Sequence, residues 1–542
     1  MKGDINMKKN ILKYATIGLF TIGMTTACTS EFEDLNTDHH AATEADMQKD
    51  GKAIGAPFNQ MINRITVMLI GGDQDDEFAS TGSYQHQIGI SADAYSGYIG
   101  HTAGWARGAY NGTYSFTKGD EWGNAMFKMG FVQVMPAWSK MHTKAIDQNQ
   151  PQIAALADIV KVLAMHRVTD HYGPIPYVNY QVGSLKQAYD AQDKVYEKFF
   201  EELDNAIEVL SPFAKSGSVF LSDFDPIFSG DLAKWVKLAN TLRLRLALRV
   251  VYANATLAQQ EALKCAECGL FIESADERAQ YNGSIINPIW QQAYEWNENR
   301  MSAPMDSYLN GYNDPRISKY FVAAKADGKF HGVRQGVLAD GANTNNYTGD
   351  KISNINLSQN SPVLYMSAAE SFFLRAEAAL RGWNMGGTAK EFYEKGIKMS
   401  MEENGISAGV DTYIANSTAT PAAFEDKAGT DNASAPSTIT IAWDDAADFE
   451  TNLERIIVQK WIANWGNSCE AWSEFRRTGY PKMFPVKFNY SQGAVSSELQ
   501  IRRLPYPRTE YNTNREAVMN AISLLGGADN CGTKLWWDKK AH

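Results

Sequence analysis

Apolar residues recur at helical spacing in successive segments of this chain, and several of the segments come as close neighbours. Residues 152–168 carry Ile153, Leu156, Ile159, Val160, Leu163 and Val168 near a 3.6-residue period, and Gly173 and Pro174 stop that helix beyond His171. Residues 194–210 repeat the pattern with Val195, Phe199, Leu203, Ile207 and Leu210. Asp231 is suited to cap a helix over 232–251, which carries Arg243, Arg245 and Arg249 among leucines. Residues 367–381 are rich in alanine and stop at Gly382, and 388–403 follow directly, as in a helix hairpin. Residues 452–465 place Leu453, Ile456, Ile457 and Trp461 on one face.

Paired helices with alanines at close contacts predict a mainly α fold, a scaffold of tetratricopeptide-like helix pairs, although no clean repeat of about 34 residues aligns. Long excursions interrupt it at 71–123, 327–362 and 406–445, rich in Gly, Ser, Asn and, in the first, aromatics. Loops of that length on a rigid scaffold suit a ligand-binding surface. The 542 residues are 44% hydrophobic, enough for a large core, and no later stretch is apolar for long enough to span a bilayer. A net charge of −11 repels phosphate backbones, which argues against nucleic acid as a partner. Five cysteines are too few for a disulfide framework.

The N-terminus reads as a secretory signal. Lys8, Lys9 and Lys13 precede a short apolar run over 17–24, and Thr25, Thr26 and Ala27 lead into Cys28. The run is too short for a transmembrane helix. The T-T-A-C exit resembles a lipobox, which makes residues 1–27 a lipoprotein signal peptide, Cys28 the lipid-attachment residue and 28–542 one domain. Met7 is the expected start. Glu31, Glu33 and Asp34 resemble the acidic export signal of surface-displayed Bacteroidetes lipoproteins.

Several ordered blocks carry a wider resemblance. T-D-H-Y-G-P-I-P-Y (169–177), W-V-K-L-A-N-T-L-R-L-R-L (235–246), A-E-S-F-F-L-R-A-E-A-A-L-R-G-W (369–383) and I-I-V-Q-K-W-I-A-N-W (456–465) come first. E-A-W-S-E-F-R-R-T-G-Y-P (470–481), R-L-P-Y-P-R-T-E-Y-N-T-N (503–514) and K-L-W-W-D (534–538) complete the set. Together they resemble the SusD/RagB family of nutrient-binding outer membrane lipoproteins. The resemblance implies a helical lid that sits over a SusC-like TonB-dependent transporter, lipid-anchored and facing outside. It implies capture of an oligosaccharide, or in some relatives a peptide, without catalysis or cofactor.

Taken residue by residue, most of these blocks read as scaffold. Arg476 and Arg477 are expected to pair with buried carboxylates such as Glu377 or Glu470, and Arg243, Arg245 and Arg249 likewise. Trp461, Trp465 and Trp472 have near-helical spacing and are expected in the core. Sugar binding needs flat apolar rings beside hydrogen-bonding groups. The first excursion offers Asp73, Asp75, Asp76, Tyr84, Tyr95, Tyr98, Trp105, Tyr110, Tyr114 and Trp122; residues 287–300 offer Trp290, Tyr294 and Trp296. Trp105, Tyr110, Trp122, Trp290, Tyr294 and Trp296 are the candidate ligand-binding residues.

Catalytic and metal patterns are weak. Cys265 and Cys268 form a lone C-x-x-C, which reads as structural or as a local disulfide. His166, Asp170 and His171 have metal-like spacing but no third partner in sequence, so structural hydrogen bonding is expected. The acidic cluster at 73–76 lacks the spacing of an EF-hand. No metal or cofactor site is therefore assigned. A glycoside hydrolase remains the rival of a different class, because a pair of carboxylates at the required separation leaves no mark in sequence.

Overall fold

The computed structural model describes residues 51–66, 69–70, 84–102, 124–184, 186–336 and 346–541. The chain divides into Met1–Ala53 and Ile54–His542, and the account below concerns the second unit. Cys28, the signal segment, the acidic residues behind it, Asp73, Asp75, Asp76, Trp105, Tyr110, Tyr114 and Trp122 lie outside the described residues.

The principal helices are α1 (Lys52–Ile65), α2 (Met135–Asp147), α3 (Pro151–Tyr172), α4 (Gln192–Lys215), α5 (Leu232–Arg249) and α6 (Ala255–Cys268). They are followed by α7 (Pro288–Tyr294), α8 (Ala368–Leu380), α9 (Ala389–Glu403), α10 (Phe449–Ala463) and α11 (Ser468–Thr478). Each of α2 to α5 packs on its successor, and α8 packs on both α9 and α10, so the mainly α, helix-pair scaffold expected from the sequence is the observed one.

Local chemistry sets the helix ends. Asp231 accepts the N–H groups of Ala233 and Lys234, and Ser367 accepts that of Glu370. Thr388 and Glu391 satisfy each other's backbone in a capping box at the start of α9. Asp448 caps α10 through the Thr451 N–H, which starts that helix three residues before the apolar pattern does. Gly173, with φ of 91°, ends α3. The central α3 is buried from Ile153 to Tyr172, so it is covered on all sides and not on one face only.

Buried ion pairs bind the helices together. Arg245 holds Glu370 with bonds of 2.6 and 2.8 Å, linking α5 to α8. Arg249 reaches Glu470 at 2.5 Å and Asp170 at 3.3 Å, and Lys460 reaches Glu470 at 3.1 Å. Arg477 chelates Glu377 at 2.6 Å through both nitrogens and also holds Glu474. Burial works to raise the Glu470 carboxyl, yet Arg249, Lys460 and Arg245 keep it well below the usual range. Arg243 joins Glu261 on α6 to Asp204 on α4.

Arg476 departs from the expected carboxylate pairing. Its guanidinium lies 3.6 Å from the Trp472 ring centroid and donates to the carbonyls of Asp170 and Arg502. Burial lowers its pKa to about 9. Two neighbouring arginines of one sequence block thus take different partners: Arg477 a carboxylate, Arg476 backbone and an indole.

The described residues form four two-stranded ribbons, short and antiparallel. β1 (Leu69–Ile70) pairs with β4 (Ile285–Ile286), β2 (Ile99–His101) with β5 (Asn299–Met301), β3 (Ala279–Tyr281) with β8 (Val363–Met366), and β6 (Phe321–Val322) with β7 (Asn354–Ile355). The first two join early chain to mid-chain and frame α7.

Candidate functional site

Helix α7 begins at Asn287, whose side chain accepts the N–H groups of Ile289 and Trp290 and donates to the Ser361 carbonyl at 3.0 Å. Pro288 occupies the first turn, where a missing N–H costs nothing. Trp290 and Tyr294 stand four residues apart and so share a face. Their ring centroids are 5.8 Å apart with planes inclined 24°. Tyr294 is 43% exposed and its hydroxyl donates to the Ile355 carbonyl at 2.7 Å, which fixes the ring while leaving a face open. Burial raises that hydroxyl's pKa, against the nearby Arg300.

The helix closes in a tight turn. Trp296 N–H donates to the Gln291 carbonyl and Glu298 N–H to that of Gln292. Asn297 takes a positive φ of 59°. Trp296, 37% exposed, sits on this turn, two residues after Tyr294. Arg300 is buried below and donates to the Asn299 carbonyl at 2.7 Å and to the Asn297 side chain. Among the described residues no carboxylate lies within 4 Å of it, and burial lowers its pKa.

Thr102 ties the other end of the site. Its N–H donates to the Glu298 carbonyl at 2.8 Å, and its hydroxyl to those of Asn297 and Glu298 at 3.2 Å. Gln85 donates to Glu298 at 2.6 Å. His101 bridges the Gly89 carbonyl and the Asn299 side chain, each at 2.9 Å, and its pKa falls to about 4 through burial. A cavity of about 70 Å³ lies behind α7, lined by Arg167, Asn287, Trp465 and Asn467 among others. A larger groove of about 740 Å³, lined by Glu450, Tyr480, Lys482 and Glu498, is crossed by Lys540, which bonds Glu450 and the Thr478 carbonyl.

Of the candidate aromatics, Trp290 and Tyr294 pair here and Trp296 lies on the turn that follows, and Trp105, Tyr110 and Trp122 are outside the described residues. Tyr84, Tyr95 and Tyr98 are not on display. Residues 84–102 are buried except for His86, with a π-helical stretch over Gln85–Asp93, where the sequence suggests an open loop. Tyr95 packs on Trp472, and Tyr98 stacks on Trp461 while donating to its carbonyl at 2.6 Å. A π-helix does not follow a 3.6-residue period, which hides it from a helical pattern search. Thr102 ties the site and was not singled out by the sequence, because its partners Asn297 and Glu298 lie 195 and 196 residues away.

The other candidates resolve as scaffold. Trp461, Trp465 and Trp472 are buried as expected. His166 and His171 each bond the carbonyl four residues earlier through Nδ1, and Asp170 accepts from Tyr196 and Trp537. Cys265 and Cys268 are free thiols, and burial pushes the Cys265 thiol up.

Helix pairs form the scaffold, and the Trp290–Tyr294 pair stands on it at the junction of early and mid-chain segments. The family model described as SusD-like, SusD and RagB outer membrane lipoprotein, matches residues 34–538, and the chain belongs to that family. It is accordingly an outer membrane lipoprotein, and no helix among the described residues is long and apolar enough to cross a membrane. It is similar to a chitin-binding SusD homologue from Flavobacterium johnsoniae: 39% identity, 90% of this chain and 99% of that one, TM-score 0.84. SusD homologues from Bacteroides uniformis and Bacteroides vulgatus are each 35% identical with TM-scores of 0.83. They cover 90% and 92% of this chain, and 99% of their own. A search of the curated proteins found no match.

Proposed function

We propose that this lipoprotein captures an oligosaccharide at Trp290, Tyr294 and Trp296, together with Trp105, Tyr110 and Trp122, and passes it to a SusC-like TonB-dependent transporter. Lipid on Cys28, exposed once residues 1–27 are removed, tethers residues 28–542 to the outer face of the membrane. The chain binds and does not cleave.

The observation that carries this reading is the near-parallel, half-open Trp290–Tyr294 pair, held by the Tyr294 hydroxyl bond and followed by exposed Trp296. Flat rings of this kind offer rigid apolar contact at low entropy cost, as a pyranose C–H face requires. Trp105 follows Thr102 by three residues, a span of at most about 11 Å of extended chain, which supports its membership of the same site. The similarity to a chitin-binding homologue points to an N-acetylhexosamine glycan as the first ligand to try.

Calorimetry of residues 29–542 with chitin oligosaccharides and a panel of other glycans tests the reading. Saturable binding is expected, with at least tenfold loss in the Trp290→Ala/Trp296→Ala double variant. Cleavage products, or affinity untouched by that variant, overturn it. Co-purification with an outer-membrane barrel and protease accessibility on intact cells test the partner and the orientation.

A further inference from the structure

Phe488 and Tyr490 form a second exposed aromatic pair, away from α7. They are 39% and 51% exposed, with ring centroids 6.5 Å apart and planes inclined 17°. Most exposed apolar residues on a protein surface are scattered singly. These two stand together on a segment that is pinned in place. Val486 N–H donates to the Ser497 carbonyl at 3.1 Å, and Asn489 Nδ2 to the Val495 carbonyl at 2.8 Å. Ser491 N–H closes the turn on Asn489 Oδ1 at 3.0 Å. Val486 and Val495 are buried beneath.

The surroundings of the pair are polar. Lys487 pairs with Asp431 at 2.8 Å, Arg334 donates to the Pro485 carbonyl at 3.0 Å, and Gln492 is exposed. Two rings set among charged and amide groups match a sugar, which presents C–H faces and hydroxyls together, better than they match an apolar protein surface.

Backbone bonds connect this pair to the α7 site. Val333 N–H donates to the Met301 carbonyl at the end of β5, and Lys487 N–H donates to the Gln335 carbonyl at 3.2 Å. Segment 333–335 therefore bonds to β5 at one end and to Lys487 at the other. β5 itself starts three residues after Trp296.

We propose that Phe488 and Tyr490 are a second glycan-binding ledge, which engages a longer polysaccharide chain outside the Trp290–Tyr294–Trp296 site. The proposal rests on the reading of that site as a glycan site. Two contacts on one ligand chain raise its affinity by making the second contact intramolecular. The ledge therefore matters for long ligands and not for short ones.

The test compares full-length protein with the Phe488→Ala/Tyr490→Ala and Trp290→Ala/Trp296→Ala double variants. Thermal melting confirms that each variant is folded. The ligands are the trisaccharide of N-acetylglucosamine, by calorimetry, and insoluble chitin, by depletion. Loss of the ledge is expected to change trisaccharide affinity by less than about twofold and to weaken chitin retention roughly tenfold. Loss of the α7 rings is expected to weaken both. Unchanged chitin retention in the ledge variant overturns the ledge alone, as does an equal loss for both ligands. Trisaccharide binding that survives removal of Trp290 and Trp296 overturns the α7 site instead. Wild type that binds neither ligand overturns the assignment of N-acetylglucosamine chains to both the ledge and the α7 site. A ledge variant that keeps chitin retention but no longer co-purifies with an outer-membrane barrel reassigns the pair to a protein partner.

Discussion

The Thr102 N–H donates to the Glu298 carbonyl at 2.8 Å, so the chain enters residues 103–123 from the turn that carries Trp296. The same residue's hydroxyl shares the Asn297 and Glu298 carbonyls. Thr102→Val keeps the N–H bond and the side-chain shape and removes the hydroxyl bonds. It is expected to cost about 1 kcal/mol in urea denaturation. Glycan affinity is expected to fall less than tenfold. No loss of stability would show that the hydroxyl does not hold the turn.

The Glu377–Arg477 pair sets a second expectation. Burial opposes the charge on Glu377, but Arg477 and Arg381 bring its carboxyl down to about 2. Glu377→Gln leaves Arg477 with only Glu474 in the interior and is expected to cost about 3–5 kcal/mol at neutral pH. The folded-state pKa is below the ordinary carboxylate value of about 4.5. Its contribution is therefore complete above that value and is lost as pH falls through it toward 2. The difference between wild type and variant should narrow over that acid range; a difference independent of pH would refute the assignment.

How far the sequence carried the reading depended on range. The α8–α9 hairpin was legible because everything that specifies it is local: the Ser367 cap, the Gly382 stop, and the Thr388/Glu391 box. The helix that pairs Trp290 with Tyr294 was not read from the sequence, which offers residues 287–300 only as a polar aromatic cluster. Tyr95 and Tyr98 were misleading because they lie in polar, glycine-containing sequence, and their burial depends on Trp472 and Trp461, more than 360 residues away. Arg476 and Arg477 look alike in sequence, and only the position of Glu377 against one and Trp472 against the other separates them.

Gly396 of α9 packs against the Phe373 ring of α8. A Cβ built there would stand 2.8 Å from ring atoms of Phe373, which is fully buried and has nowhere to go. Alanine gains about 1 kcal/mol of helix propensity over glycine, and overpacking costs about 1–3 kcal/mol. Gly396→Ala is expected to be destabilising by roughly 1 kcal/mol overall. Adding Phe373→Leu should recover part of that loss, a positive coupling in the double-mutant cycle. Additive losses would show that the two side chains do not compete for the same space.

His101 gives the site a pH signature. The buried ring is held between the Gly89 carbonyl and the Asn299 side chain, and its pKa is lowered from 6.5 to about 4 by burial. A neutral ring that donates from Nε2 to Gly89 must accept at Nδ1, which calls for the amide nitrogen of Asn299 on that side. That orientation also gives Asn299 Nδ2 the hydrogen bond it otherwise lacks. The folded-state pKa is below the unfolded one, so the unfolded chain binds the extra proton between pH 6.5 and about 4. Stability from this residue is complete above 6.5 and is lost as pH falls through that window, by up to roughly 3 kcal/mol. His101→Gln keeps a side chain able to bond both neighbours and does not titrate. The stability advantage of wild type over this variant should therefore shrink steadily from pH 7 to pH 4 in chemical denaturation. An advantage that grows on acidification would mean that the ring is charged in the folded protein, and that Asn299 presents its oxygen.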